Sequence, residues 1–505
     1  MNAPASPEIR PAKARADVRV RLPDGVILRA PRGTTVEQIA QSVAAPDEPL
    51  IVAAIVDGEL SELSRALGRD VNLQFVTLAD ADGMRIYRRS LSFLLIAAAQ
   101  ETLPGVHVHI DHAVASGGFY CRVSNRPPLS PDELHLLKVR MDEIVAADEP
   151  IVRQEIPLED AAALFRAAGD EEKVRLLAHR TKPRLVMYTM RGTRNYLHGY
   201  MVPSSGYIRL YDLEPADGGF ILRYPRRRAP SQLAPTVSPG GLLARFREYD
   251  KWLDMLDLQH VSELNEAIQS DRIRGLALVA EALHEDRIGY IASQIAERKG
   301  PVRIVLIAGP SASGKTTFSK RLSIQLLAHG IRPYPLAMDD FFVPREQSPR
   351  DEQGDYDFES IYTLNLERLN ADLLALMDGR RITLPRYNFK TGLPEEGPTV
   401  QLGADHIIVL EGIHGLNPVL LPHVPSERTY RIYVSALTQL NLDRHNRIST
   451  TDARLLRRIA RDAANRGYSA RATIERWESV QRGEKRNILP YQNLADVMFN
   501  STLPH

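Results

Sequence analysis

The spacing of apolar residues changes period several times along the chain. Asp17–Leu22 (DVRVRL) alternates with period two and predicts a strand. Pro23-Asp24-Gly25 makes a turn, and Val26–Ala30 the returning strand. Thr35 is placed to cap a helix over Val36–Val43, with Glu37 in its first turn. Short strands follow near 51–56 and 71–77. From Leu242 to Arg298 the period becomes helical, with Leu253, Leu256, Val261 and Leu264 forming stripes. Val302–Ala308 (VRIVLIA) is almost continuously apolar, as a strand buried on both faces of a parallel sheet would be. Phe318, Leu322 and Leu326 recur at helical spacing after it, and Gly330 is the stop. Two more apolar runs, Pro333–Met338 and His406–Leu410, each end in acids: Asp339-Asp340 and Glu411.

These patterns divide the chain. Residues 1–16, rich in Pro and Ala, read as disordered, and 17–79 as a small β-grasp module. Residues 229–241 (APSQLAPTVSPGG) read as a linker. A helical connector, 242–285, leads to an α/β unit over 286–505. The fold class is multidomain, α/β and α+β.

Composition narrows the classes little. Of 505 residues 44% are hydrophobic and 25% charged, and the formal net charge is +1, which gives no global argument for nucleic acid or membrane. One cysteine, Cys121, excludes an internal disulfide framework and fits a reducing cytosol. The first residues lack the apolar core of a signal peptide, and runs such as Leu91–Ala99 are too short to span a bilayer. A cytoplasmic protein is the expectation.

The densest chemistry is Gly309-Pro310-Ser311-Ala312-Ser313-Gly314-Lys315-Thr316, between the buried strand and a helix. This is the phosphate-binding P-loop. Gly309 and Gly314 let the loop curl so that backbone N–H groups converge on phosphate oxygens, and the helix N-terminus adds partial positive charge. Lys315 would reach the β- and γ-phosphates and Thr316 would hold Mg²⁺, so the chain should bind a nucleoside triphosphate. In doubly wound sheets ligands sit beyond the carboxyl ends of strands, where Asp339, Asp340 and Glu411 stand. An acid at a strand end can also be a helix cap. Arg454, Arg457, Arg458 and Arg461 share or adjoin one helical face, and Arg466 follows before Gly467. A movable basic face of this kind can close over a triphosphate, or can simply be solvated.

Two further features tempt a site. His107, His109 and His112 lack a Cys or carboxylate cluster to complete a metal site, and read as a solvated loop or strand end. Tyr224–Arg228 (YPRRR) reads as charged surface, with an RNA contact as the alternative.

The front resembles threonyl-tRNA synthetases. "LPDG", the helix after "GTT", and "AAIVDGEL" are similar to the ubiquitin-like module at the start of those enzymes. The resemblance implies a partner- or RNA-binding module without chemistry. "RRSLSFLLIAAAQETLPG", "GGFYCRV" and "VPSSGYIRLYDL" resemble the editing domain that follows it, which implies an α+β domain over 80–228. That domain uses two His, a Cys and a further His; here the matching positions are Arg89, Phe93, Leu197 and Met201. None of these can act as base, nucleophile or soft ligand there, so a retained fold with a dead editing site is expected.

The back resembles the uridine kinase and phosphoribulokinase superfamily, through "GPSASGKTTFSKRL", "MDDFF", "DYDFESIYTLN", "RYNF", "IIVLEGIHGL", "RLLRRIARDAANRG" and "NLADVMF" in family order. The resemblance implies an adenylate-kinase-like P-loop fold that uses ATP and Mg²⁺. Asp339 would accept the proton of a sugar 5′-hydroxyl, with Lys315 and Arg461 as its catalytic partners. Gly309, Ser311, Ser313, Gly314, Lys315, Thr316, Thr317, Arg458 and Arg466 would hold the nucleotide. Asp357, Tyr387 and Arg458 would contact the acceptor, and Thr316 with Glu411 the metal. Two positions depart from the pyrimidine enzymes: Gly392 stands where they carry His, and Arg476 where they carry Gln. The expectation is an ATP-dependent kinase of a nucleoside, uridine or cytidine. A kinase of another small alcohol such as a phosphosugar, and an ATP-gated RNA-binding regulator, remain open.

Overall fold

The computed structural model describes residues 15–45, 48–114, 117–235, 251–298, 300–352, 354–438 and 440–505. The disorder expected for 1–16 therefore falls outside the described residues up to residue 14, as do 236–241 of the expected linker and the start of the connector. The chain divides into two compact units: Met1–Ser238 with Leu442–Arg447, and Pro239–Asn441 with Ile448–His505.

The front unit opens with a five-stranded sheet in the order Ile27–Pro31, Asp17–Arg21, Val71–Thr77, Ile51–Val56, Glu59–Ser61. Thr35 caps the helix Val36–Val43 reciprocally with Gln38, which fixes where the helix starts. Val36, Ile39 and Ala40 of that helix share a core with Val18 and Val20. The helix Ala81–Thr102 follows, with Ile86, Tyr87, Leu91, Phe93, Leu94 and Leu95 all buried, so it is a core helix rather than a surface one. Gly83 is required there, because a Cβ would lie 1.9 Å from the Thr77 carbonyl oxygen. An antiparallel four-stranded sheet (Asp212–Ala216, Gly219–Arg223, Gly118–Val123, Val108–Val114) and a three-stranded one (Thr193–Asn195, Arg184–Met190, Val152–Pro157) complete the unit.

His109 and His112 are not on a solvated loop. Both lie in the strand Val108–Val114 and are 6% exposed. The register shifts between Ile110 and His112, and this bulge breaks the two-residue alternation of an ordinary strand. His112 stacks on Tyr120 with ring centroids 5.1 Å apart, and burial holds its pKa down to about 3.

The second unit is built on a fully parallel sheet in the order Arg332–Ala337, His406–Glu411, Ile304–Ala308, Thr429–Ser435, Val497–Asn500. Its central strand is buried along its whole length. Val305 and Ile307 point to one core with Phe318, Leu322 and Leu326 of the helix Lys315–Ala328, while Ile304 and Leu306 point to the other with Leu369, Leu373 and Leu376. Both faces of the sheet are thus covered by helices, which explains the unbroken apolar run. A hairpin, Ile382–Asn388 with Leu393–Val400, and two long helices, Thr450–Asn465 and Ala470–Asn487, stand apart from the sheet order. The boundary placed at 285/286 falls inside one continuous helix, Ile273–Glu297. The apolar stripe does not stop there: Ile288, Ile291, Ala292 and Ile295 belong to the same core as the central strand.

Candidate active site

Three residues with positive φ curl the loop after the central strand: Gly309 at 152°, Ala312 at 59° and Gly314 at 91°. A Cβ on Gly309 would stand 2.0 Å from the Val434 carbonyl oxygen, so only glycine lets the loop leave the strand this way. The helix Lys315–Ala328 begins directly at the loop and directs its free N–H groups and dipole into the curl.

At the neighbouring strand end the Thr316 hydroxyl donates to Glu411 Oε1 at 2.8 Å. Glu411 Oε2 is buried with no hydrogen-bond partner in the structure. Burial raises the Glu411 carboxyl above its usual range, against Lys315 and Thr316. An orphaned carboxylate oxygen beside a hydroxyl is the hard oxygen donor set that Mg²⁺ takes, so these residues fit that ion. Desolvation lowers the Lys315 ammonium, opposed by Glu411 and Asp339. The structure therefore brings Lys315, Thr316, Glu411, Asp339 and Arg461 into one electrostatic field.

Asp340 faces a different element from Asp339: its carboxylate accepts the Tyr387 N–H at 3.3 Å and positions the hairpin. Tyr387 packs edge-on against Phe342 and Phe389, at 5.4 and 5.2 Å between centroids. Asp357 accepts the Glu359 N–H at 3.2 Å and lies by Gly483, where a Cβ would approach its Oδ1 to 3.3 Å. Thr317 is exposed on the first turn of the loop's helix.

The arginines meet the loop. Arg458 donates to the Ser311 hydroxyl at 2.9 Å, and Arg454 to the Ser311 carbonyl at 2.9 Å. Asp462, 3% exposed, gathers Arg461 at 2.8 Å, Arg458 at 3.3 Å and Arg466 at 3.9 Å. Arg466 also lies over the Phe389 ring at 5.2 Å.

Sequence reasoning missed several of these residues. Glu484, on the helix Ala470–Asn487, accepts the Ser311 N–H at 2.9 Å and pairs with Arg454, so the Ser311 peptide is held at both ends. Nothing in a polar helix that far downstream marked it. Glu359 was missed too: burial raises its carboxyl to about 7, Arg458 opposing, and Glu484 and Asp357 adding to the rise. Asp462 was legible in principle, since it directly follows Arg461.

The two departures are explained locally. Gly392 has φ 76°, and a Cβ would meet the Arg345 side chain at 3.1 Å. Arg345 bridges the hairpin turn, its N–H to the Gly392 carbonyl and its guanidinium to the Phe389 carbonyl at 2.6 Å. Arg476 lies over the Phe358 ring at 4.8 Å, next to Asp357.

In the front unit, Phe93, Leu197 and Met201 share one apolar core, and Arg89 donates to the Tyr200 carbonyl at 2.6 Å. Among the described residues no helix is long and apolar enough to cross a membrane.

Comparison with known proteins also separates the N-terminal from the C-terminal region. Residues 304–504 match the model of the Phosphoribulokinase / Uridine kinase family. The N-terminal region is homologous to threonine–tRNA ligases. Identity is 32% to that of Burkholderia lata over 241 residues, 48% of this chain and 37% of the ligase. It is 31% to that of Burkholderia orbicola over 204 residues, 40% of this chain and 32% of the ligase. The chain thus spans about a third of the length of these relatives. Among solved structures, a possible uridine kinase from Bacillus stearothermophilus is 25% identical with a TM-score of 0.27, over 43% of this chain and 98% of that one. D-Glycerate 3-kinase from Cryptococcus neoformans var. grubii is 16% identical with a TM-score of 0.28, over 40% of this chain and 87% of that one.

Proposed function

On the footing of a catalytic unit that matches the phosphoribulokinase / uridine kinase family, joined to a front homologous to threonine–tRNA ligases, we propose an ATP- and Mg²⁺-dependent nucleoside kinase. It transfers the γ-phosphate to the 5′-hydroxyl of uridine or cytidine. The observation that carries this reading is the Thr316–Glu411 pair, with its unpartnered carboxylate oxygen, in one field with Lys315 and Asp339. Phosphoryl transfer needs little covalent chemistry from a protein; it needs positioning and charge neutralisation at the moving group. Thr316 and Glu411 would hold Mg²⁺, which would supply charge neutralisation at the phosphates. Lys315 and the loop N–H groups hold the β- and γ-phosphates. Asp339 orients the acceptor hydroxyl in line and takes its proton, Asp357 holds the ribose hydroxyls, and Tyr387 lies along the nucleoside. Arg458, Arg461 and Arg466 close over the triphosphate. The front unit performs no editing, because Phe93, Leu197 and Met201 offer no nucleophile or base.

Asp339→Asn is the test. Turnover should fall by about 10³-fold while ATP binding, read by calorimetry, stays within about twofold. Wild-type turnover in the variant removes Asp339 from its role.

A second reading has its own observation. Where the pyrimidine kinases carry His and Gln, this chain presents a glycine turn under Arg345 and an arginine on Phe358. Arginines at that end favour an acceptor bearing an anion, such as a phosphosugar. ADP release measured against a panel of nucleosides and phosphosugars decides between the two.

A further inference from the structure

Six residues break the order of the chain. Leu442–Arg447 belongs to the front unit, although the chain on either side of it belongs to the catalytic unit. The segment is polar, yet it is buried: Asp443 is 0% exposed, Asn446 6%, Arg444 9% and His445 9%. Burying four such side chains is costly unless each finds a partner.

Each does, and on the front unit. Arg444 forms a bidentate pair with Glu172, and its carbonyl accepts the Ile110 N–H at 2.9 Å. Lys173, itself fully buried, donates to His445 Nδ1 at 2.6 Å and to Asn195 at 3.0 Å. Asp443 accepts the Tyr196 hydroxyl at 2.8 Å. Burial works to raise the Asp443 carboxyl, but Lys173 and its hydrogen bonds outweigh this and hold it low. The Asn446 amide donates to the Tyr196 carbonyl at 3.2 Å, and Arg447 lies over the Phe119 ring at 5.0 Å. Acid meets base directly at Glu172 with Arg444, while the Lys173 charge helps to hold Asp443 low and its ammonium also pairs with Asp170 of the front unit at 3.6 Å. An ammonium as deeply buried as Lys173 is tolerable only while an acceptor stands against it. The surface is therefore built for an occupant of this charge order.

We infer that the front unit acts as a clamp on this strap of its own chain, and through it positions the arginine helix of the catalytic unit. Chain continuity supplies the link. Three residues after the strap begins the helix Thr450–Asn465, which carries Arg454 and Arg458 to the Ser311 peptide. Just before the strap, Asn441 accepts the Val261 N–H and, through Oδ1, the Ile448 N–H at 3.2 Å, so the loop is pinned at its neck. A strap fixed at both ends leaves the start of that helix little freedom. Glu172, Lys173 and Asn195 are positioning residues for the transfer.

The test uses the full chain with three variants: Glu172→Arg, Asn446→Ala, and the charge-swapped pair Glu172→Arg with Arg444→Glu. Hydrogen exchange of the 442–447 peptide reads the clamp directly. Acceptor-dependent ADP release reads its effect, and only this second readout rests on the kinase reading. Both single variants should speed exchange at 442–447 at least tenfold and lower kcat by about tenfold, with KM for ATP moved less. The swapped pair should recover protection and turnover together. Wild-type exchange in both single variants overturns the clamp. Fast exchange with unchanged turnover overturns the positioning role. If the wild-type protein turns over no acceptor at all, the kinase reading fails while the exchange result still stands.

Discussion

The front unit's four inherited positions and the catalytic unit's strand ends treat charge in opposite ways. Phe93, Leu197 and Met201 join one apolar core, and Arg89 is occupied by a backbone carbonyl. Lys315 and Glu411 instead carry charge where burial opposes it, at a cost visible in the lowered Lys315 and raised Glu411. Apolar burial stabilises a fold by itself, whereas desolvated charge is worth keeping only where a protein partner or a ligand completes it. The contrast separates a scaffold from a site, and it can be broken from either side.

The largest effect should come from Lys315→Met. Turnover should fall by about 10³-fold, roughly 4 kcal/mol of transition-state stabilisation, while thermal unfolding is unchanged or moves upward because a desolvated ammonium is gone. Calorimetry beside a kinetic assay checks both halves; a large loss of stability would make Lys315 structural. Next comes Phe93→Ala, which should cost the front unit about 3–4 kcal/mol through the cavity it leaves, read by chemical denaturation. A neutral result would mean that this core is not what holds the unit together.

The smallest effect sharpens the comparison inside the catalytic unit. Glu359 has a folded pKa of about 7 against 4.5 when exposed, so the folded state binds more protons than the unfolded state between those values. Stability should then fall as pH rises from about 4.5 to about 7, by on the order of 2 kcal/mol. Glu359→Gln should flatten that slope, as melting curves across the range would show. An unchanged slope would assign it to other groups.

The fold class was legible because its signals are local. The Thr35 cap, the unbroken run at Ile304–Ala308 and the period-3.6 stripe from Phe318 to Leu326 need no partner to be read. The loop from Gly309 to Thr316 was legible for the same reason. Two things were not. The bulge before His112 reverses which face a strand residue points to, and nothing in "HVHIDHAV" announces it. The second is long-range pairing. Glu484 reaches Ser311 across 173 residues, and the Arg444–Glu172 pair spans 272. Only the closed chain reveals such partners, because each looks like an ordinary solvated charge in sequence. The helix Ile273–Glu297 is an intermediate case: its period was plain, but its length was not, so a boundary expected at 285/286 falls inside it.

Trp477 has a consequence of its own. Arg454 and Arg458 both lie over its indole, at 5.5 and 5.9 Å, and the ring is 5% exposed. The chain has one other tryptophan, Trp252. The same two guanidinium groups that hold Ser311 therefore sit on a chromophore, so any shift of theirs changes the electric field across it. The molecule carries its own optical gauge of whether the loop is gripped, without a label.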